Sequence, residues 1–246
     1  MTASPSPSNS ASGPASHRTP TAATDAATNA APDAGYVLYG TRGSGSAIVE
    51  IGLRWCGQAY RTVHASSWEN ASEQDALRAL NPLMQIPTLH TPDGDVLTES
   101  GAILMHLGLR FPAAQLLGDG DRQRDQILRG LVYIAANCYS CISVIDYPER
   151  YSTRTEQDDR EAIIAGTKAR LHKHWEIFAD MFPGQPWLSG AKPGALDAMA
   201  VIVSKWSGSR KHLEANRPEF FALLQRIEAL PQVAEVCATH WPPKTP

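Results

Sequence analysis

The stretch NPLMQIPTLHTPDGDVLTES, residues 81–100, carries the most information about the fold. Its first apolar run is interrupted at Pro87, which has no N–H to donate to a neighbouring strand and so belongs at a strand edge or a bend. An Asp-Gly pair at 93–94 predicts a tight turn between two short strands, and Glu99 and Ser100 then begin a helix. The stretch therefore predicts a hairpin whose exposed backbone edge lies close to a helix N-terminus, where a peptide-like, anionic ligand can bind.

Strand and helix patterns alternate before and through this stretch. Residues 36–39 and 60–64 predict β-strands, and Ser46 is expected to cap the helix between them. A β-α-β crossover of this length implies a parallel pair of strands. With a helix at 72–80, the hairpin and the helix that follows the hairpin, the predicted order up to residue 111 is β-α-β-α-β-β-α.

The pattern changes after residue 120, where the remaining segments have helical periodicity. Five predicted helices are separated by loops, and they cover residues 121–147, 156–182, 195–206, 218–230 and 233–240. The sequence thus predicts an α/β domain at residues 35–111, followed by an all-α domain at residues 121–241.

The first 34 residues contain no Leu, Ile, Val, Phe, Tyr or Trp. Because they have nothing to bury, we expect residues 1–34 to be a disordered, low-complexity extension. They lack the basic start and apolar core of a secretory signal. A net charge of −3 is too small to favour nucleic acid as a partner, and no apolar run approaches the roughly 20 residues that cross a membrane. With four cysteines and no export signal, reduced thiols and a cytoplasmic location are expected.

Three motifs, in the correct order, resemble those of the cytosolic glutathione S-transferase family. They are NPLMQIPTL at 81–89, LTESGAI at 97–103, and PWLSG at 186–190 followed by ALD at 195–197. The resemblance extends over residues 36–241. It implies a thioredoxin-like N-terminal domain followed by the all-helical C-terminal domain of these transferases, in a bacterial-type member of the family.

The resemblance implies a glutathione site in the opening stretch. The backbone of Ile86, next to a cis Pro87, would hold the cysteinyl unit of glutathione as an added strand. Ser100, at a positive helix terminus, would bind the γ-glutamyl carboxylate, and Glu99 would bind the ammonium group. Gln85 would line the same groove.

The residue that activates the glutathione thiol is expected in the loop after the first strand, where the next helix's dipole stabilises a thiolate. Aligned on that helix, the cysteine of the bacterial beta-like class falls on Gly45, so the sequence departs from the family pattern at this point. Ser44 is the first candidate, Ser46 the second and Thr41 the third. Arg42 is a candidate to add positive charge for the thiolate or for a glutathione carboxylate, although a solvated loop arginine is the more common outcome.

The resemblance also places a wall for the acceptor substrate on the long helix after residue 120, with Tyr133, Asn137 and Tyr139 as candidates. It implies reduced glutathione as cosubstrate, a hydrophobic electrophile as acceptor, a homodimer, and no bound cofactor or metal. Asp197 is expected to cap a buried helix. Because Gly194 stands where a Ser or Thr usually completes the capping box, a stability cost of about 1 kcal/mol is expected.

Two other functions stay open. A non-catalytic glutathione-binding or interaction module would account for the unusual segment at residues 41–46. A glutathione-dependent thiol–disulfide reductase would use Cys138 and Cys141, although a C-x-x-C pair in the middle of a helix is more typical of core or cleft-lining packing.

Overall fold

The computed structural model describes residues 35–154 and 156–243. The extension predicted at residues 1–34 lies outside the described residues. Four strands form one mixed sheet in the order β2-β1-β3-β4, with β1 and β2 parallel and the other two pairs antiparallel. The strands are β1 (Tyr36–Gly40), β2 (Tyr60–His64), β3 (Thr88–His90) and β4 (Val96–Thr98).

Three helices belong to this sheet, and with it they confirm the predicted order β-α-β-α-β-β-α of a thioredoxin-like fold. They are α1 (Ser46–Trp55), α2 (Gln74–Leu80) and α3 (Ser100–Arg110). One detail of α1 was predicted wrongly. Ser46 is the first helical residue and not the cap, and Gly45 precedes it. The Ser44 hydroxyl accepts the N–H of Ser46 at 3.2 Å, so the capping hydroxyl comes from two residues before the predicted cap, Ser46.

The remainder of the described chain is helical, as predicted, apart from an isolated bridge between Trp187 and Gly190. Ser209–Asn216 is a helix that the sequence analysis missed, and the helix expected to reach residue 206 ends at Val203. The helices are α4 (Asp121–Tyr133), α5 (Ser140–Asp146), α6 (Gln157–Met181), α7 (Ala195–Val203), α8 (Ser209–Asn216), α9 (Pro218–Glu228) and α10 (Pro231–His240), with a π-helical segment at Ile134–Tyr139 and 3-10 turns at Pro112–Ala114 and Pro148–Tyr151.

The continuous helical stretch Asp121–Asp146 is long and apolar enough, by length and composition, to cross a membrane. This finding corrects the expectation that no stretch approaches that length. Its most apolar window has a mean hydropathy of 1.4, and 39% of that window is buried. Leu131, Ile134 and Cys138 on this stretch belong to the core, so core packing accounts for part of its apolar character.

Helix α7 joins the two parts of the described chain. All nine of its residues are buried, and it packs against α1 and α3 on one side and against α4 on the other. Gly101 of α3 lies against Met199, where an added Cβ would meet the sulfur at 3.8 Å. Because this core is continuous, the division into domains at residues 35–111 and 121–241 stays a prediction.

The start of α7 is held by the buried Asp197 carboxylate. It accepts three backbone N–H groups, each at 2.9 Å, from Leu188, Ser189 and Gly194. The expected cost of glycine at 194 is not what the structure indicates. The Ser189 hydroxyl accepts the N–H of Leu196 at 3.2 Å, replacing the missing cap. A Cβ at Gly194 would lie 2.6 Å from the carbonyl oxygen of Leu116, which explains why serine does not stand there.

Candidate functional site

A cleft of about 1060 Å³ separates the edge of the sheet from the helical part. Most of its lining comes from four places in the chain: the loop before α1, the loop before β3, the start of α3, and one face of the helical stretch from α4 to α5 (Asp121–Asp146); the segments after β2 and α5, and α7 with the segment after it, add the rest. Seven of the residues predicted to form the site line this one cleft, namely Ser44, Gln85, Ile86, Pro87, Glu99, Ser100 and Tyr139. The fold thus brings together positions that lie far apart in the sequence.

The loop before β3 presents an unpaired backbone edge to the cleft. The Ile86–Pro87 peptide bond is cis, and the ladder with β1 begins only at Thr88. Asn81 fixes the loop from behind, since its side-chain amide donates to the Gln85 carbonyl at 3.0 Å and to the Thr88 hydroxyl at 3.1 Å. Among the described residues, no hydrogen bond engages the backbone of Ile86, so its N–H and C=O are available to an extended ligand.

The start of α3 forms the second polar part of the cleft. Ser100 is the first helical residue and is buried. Its hydroxyl and the unpaired N–H groups of the first turn suit a carboxylate. Glu99 is exposed and has φ 64° and ψ 106°, a left-handed conformation that costs a residue other than glycine about 1–3 kcal/mol. Residues held in such conformations cluster at ligand sites.

The loop before α1 brings one of the three predicted thiol-activating hydroxyls to the cleft. Ser44 lines it, but the Ser44 hydroxyl donates to the carbonyl oxygen of Thr41 at 2.7 Å. The Ser46 hydroxyl lies 2.9 Å from that of Ser44 and also donates to the Thr41 carbonyl, at 3.2 Å. The two serine hydroxyls therefore serve first to hold the loop together.

The other predictions in this loop are not supported by the geometry. Thr41 is buried on the far side of the loop, where its hydroxyl donates to Glu69 at 3.1 Å and lies 3.2 Å from the His64 ring. Ser46 is only 1% exposed and does not line the cleft. Arg42 is exposed and lies outside the cleft lining. The structure thus leaves these three residues out of the cleft lining, and their roles at the site stay predictions.

Of the three residues predicted for the acceptor wall, Tyr139 is the one that lines the cleft. Its ring stacks on Trp206, with centroids 5.5 Å apart and planes at 23°. Tyr133 turns away, and its hydroxyl donates to the His174 carbonyl at 3.0 Å. Asn137 donates its amide to the backbone of the preceding turn. Neither residue lines the cleft, because Tyr133 is bound to the backbone of α6 and Asn137 to the preceding turn of its own helical stretch, so a role in the acceptor wall stays a prediction.

The cleft has an apolar wall opposite Ile86 and Ser100, and of its residues only Tyr139 was predicted from the sequence. The wall consists of small and apolar side chains of the α4–α5 stretch together with Met105, Met199 and Trp206. A signal for part of it was present, because the wall residues Val132, Ala135, Ala136, Tyr139 and Ser143 recur at helical spacing on one side of that stretch. No sequence signal pointed to Met199 or Trp206.

Cys138 and Cys141 do not belong to the cleft lining. Cys138 is fully buried and Cys141 is 6% exposed, and the Cys141 thiol donates to the Asn137 carbonyl at 3.1 Å. Burial raises the pKa of both thiols, which keeps them protonated and unreactive at neutral pH. This geometry disfavours a disulfide-exchange site at this pair.

Comparison with known proteins supports this picture of the fold. Residues 46–110 match the family model described as the glutathione S-transferase N-terminal domain. The chain is 28% identical to the uncharacterized GST-like protein YncG of Escherichia coli strain K12, over 81% of this chain and 95% of that protein. It is 26% identical to the glutathione S-transferase GstA of Escherichia coli O157:H7, over 82% and 98% of the two chains.

A solved structure has the same fold. It is that of a glutathione transferase homologue from Sulfitobacter with bound glutathione, and it superposes with a TM-score of 0.73. The match covers 82% of this chain and 97% of the other at 22% sequence identity.

Proposed function

The chain belongs to the bacterial-type glutathione S-transferase family, and we propose that it binds reduced glutathione, stabilises its thiolate and directs the sulfur at an electrophilic small molecule. One observation carries this proposal: the free backbone edge of Ile86 and the α3 N-terminus at Ser100 line the same cleft. A tripeptide with an anionic γ-glutamyl end matches that combination of an added strand and an anion site.

The arrangement favours one orientation of the ligand. The γ-glutamyl carboxylate would contact Ser100 and the first N–H groups of α3, and the ammonium group would pair with Glu99. The cysteinyl backbone would pair with Ile86, while Gln85 and Pro87 border the groove. The sulfur then points toward the loop before α1, where Ser44 can reach it only by exchanging its hydrogen bond to the Thr41 carbonyl for one to the sulfur.

The acceptor would occupy the apolar wall of the cleft. Met105, Met199 and the small side chains of the α4–α5 stretch offer surface to a hydrophobic electrophile. In this proposal glutathione is a cosubstrate and no bound cofactor or metal takes part. The same family membership leads us to propose a soluble, cytoplasmic homodimer.

A non-catalytic glutathione-binding module is the second candidate. One observation favours it, because the serine hydroxyls of the loop before α1 are already engaged within the loop. The two candidates differ in turnover and not in binding. A module of this kind would bind glutathione and leave an electrophile such as a chloronitrobenzene unconverted.

The test is isothermal titration of the full chain with reduced glutathione, with electrophile turnover measured in parallel. Ser100→Ala removes a hydrogen bond to a carboxylate and should weaken binding by about tenfold to a hundredfold. Ser209→Ala is the matched control, because Ser209 is also the buried first residue of a helix but does not line the cleft. It should bind glutathione like the wild type.

Two results would count against the proposal. If the wild type does not bind glutathione, the assigned ligand is wrong. If Ser100→Ala and Ser209→Ala bind equally well, the anion site is elsewhere. Binding with no conversion of any electrophile would support the non-catalytic module.

A further inference from the structure

The hydroxyl of Tyr139 lies at the N-terminus of α1, next to the cis proline. A Cβ added to Gly45, the residue before α1, would overlap the Tyr139 hydroxyl, and it would lie 3.3 Å from Cζ of the same ring and 3.4 Å from Cδ of Pro87. Three separate parts of the chain therefore meet at one point. The Tyr139 hydroxyl occupies the space that a side chain at position 45 would fill.

The tyrosine ring is held firmly in this position. It is stacked on Trp206, and Trp206 in turn packs against Trp241, with centroids 6.4 Å apart. Tyr139 is the last residue of the π-helical segment Ile134–Tyr139. A π-helical turn shifts the register of the side chains that follow it and is frequent at functional sites. The segment thus offers a structural reason why this side chain reaches across the cleft.

The Tyr139 hydroxyl is available to donate a hydrogen bond to a ligand. It makes no hydrogen bond to another residue in the part of the chain that the structure describes, in contrast to the Tyr133 hydroxyl, which is bound to His174. Burial raises the pKa of Tyr139, and the carboxylates of Glu99 and Asp146 raise it further. The phenol therefore stays protonated at neutral pH and can donate a hydrogen bond.

We propose that Tyr139 is a catalytic residue that donates a hydrogen bond to the sulfur of bound glutathione, in place of the serines of the loop before α1. The inference rests on the proposed function, because it needs glutathione in the cleft with its cysteinyl unit paired to Ile86. The thiol proton passes to solvent and the phenol keeps its own. The thiolate is then stabilised by the Tyr139 hydroxyl and by the positive end of α1. Ser44 remains a positioning residue that shapes the loop.

The experiment is a pH titration of the thiolate absorbance of glutathione bound to the full chain, for the wild type and for Tyr139→Phe. Loss of a hydrogen bond to a charged group should raise the pKa of the bound thiol by about one to two units. S-methylglutathione has no ionisable thiol, so its dissociation constant should change by less than about twofold. Tyr147→Phe, a hydroxyl deletion in the same cleft, is the matched control and should leave the thiol pKa unchanged.

The outcomes separate this inference from the proposed function. An unchanged thiol pKa in Tyr139→Phe overturns the inference and leaves glutathione binding intact, and a raised pKa in Ser44→Ala alone would return the role to Ser44. An equal loss of affinity for glutathione and S-methylglutathione would identify a packing role and also overturn it. If the wild type binds no glutathione, both proposals fail.

A second variant keeps the test valid if Tyr139→Phe does not fold. Gly45→Ala retains the tyrosine, and the backbone at Gly45 (φ −64°, ψ −10°) accepts alanine without strain. Because the new methyl group overlaps the Tyr139 hydroxyl, it should displace the donor and raise the thiol pKa in the same direction. A folded Gly45→Ala protein with the wild-type thiol pKa would contradict the inference.

Discussion

Replacing Glu99 by glycine and by alanine separates the backbone strain at this residue from the loss of its carboxylate. Both variants remove the side chain, and they differ in how well they tolerate φ 64° and ψ 106°. The left-handed conformation costs alanine about 1–3 kcal/mol. Glycine avoids that cost but has a more flexible unfolded state, which offsets about 0.4–1 kcal/mol. The glycine variant should therefore be more stable than the alanine variant by about 0.5–2 kcal/mol.

The assay is urea unfolding of both variants followed by circular dichroism, with the same pair of substitutions at Glu161 as a control. Glu161 is exposed within helix α6, and there glycine should be less stable than alanine by about 1 kcal/mol. The difference in stability between the glycine and alanine variants should therefore have opposite signs at positions 99 and 161. An alanine variant at 99 that is as stable as the glycine variant would refute the reasoning.

Glutathione titration adds a functional reading to the same variants. Glu99 is exposed, and an exposed ion pair with the ligand's ammonium group is worth at most about 1 kcal/mol. Both variants should therefore bind glutathione up to about fivefold more weakly than the wild type. If the strain at residue 99 belongs to the ligand site, the glycine variant should be more stable than the alanine variant but should not bind glutathione more tightly.

Two other predictions concern the core and the thiols. Asp197→Ala leaves three buried N–H groups without an acceptor and should lower the free energy of unfolding by at least about 3 kcal/mol; a loss below about 1 kcal/mol in urea unfolding would contradict the role of this carboxylate. Native protein treated with iodoacetamide at neutral pH should leave Cys138 and Cys141 unlabelled until it is unfolded, because burial raises the pKa of both thiols. Rapid labelling of Cys138 or Cys141, read by mass spectrometry, would show that they are more exposed than the structure indicates.

Local patterns predicted the sheet, and they also predicted which residues of the opening stretch lie together in the cleft. The turn at 93–94, the interruption at Pro87 and the helix start at Ser100 are features of neighbouring residues, and each is governed by backbone chemistry within a few positions. These features can therefore be predicted without knowledge of the rest of the chain. The short helix α8 was missed because Ser209–Asn216 is polar. Its buried residues are Ser209 and Leu213, and only Leu213 is apolar.

The hydroxyl groups were predicted less well, because a hydroxyl has several possible partners and sequence does not choose between them. Thr41 and Ser46 stood in the expected loop, yet they bond within it or to the neighbouring strand. Ser189 replaces the cap that Gly194 cannot supply, from a position five residues earlier. In each case the hydrogen-bond partner of the hydroxyl is set by tertiary packing and not by the spacing of residues along the sequence.

The sequence by itself determined the order of strands and helices, the hairpin edge at Ile86 and the helix start at Ser100, since these depend on short-range periodicity and turn chemistry. The tertiary structure alone decided that the Tyr139 hydroxyl stands beside the α1 N-terminus, together with the serines of the loop. Tyr139 ends a π-helical segment far along the chain from Gly45, and the local sequence of neither segment shows that the two residues meet.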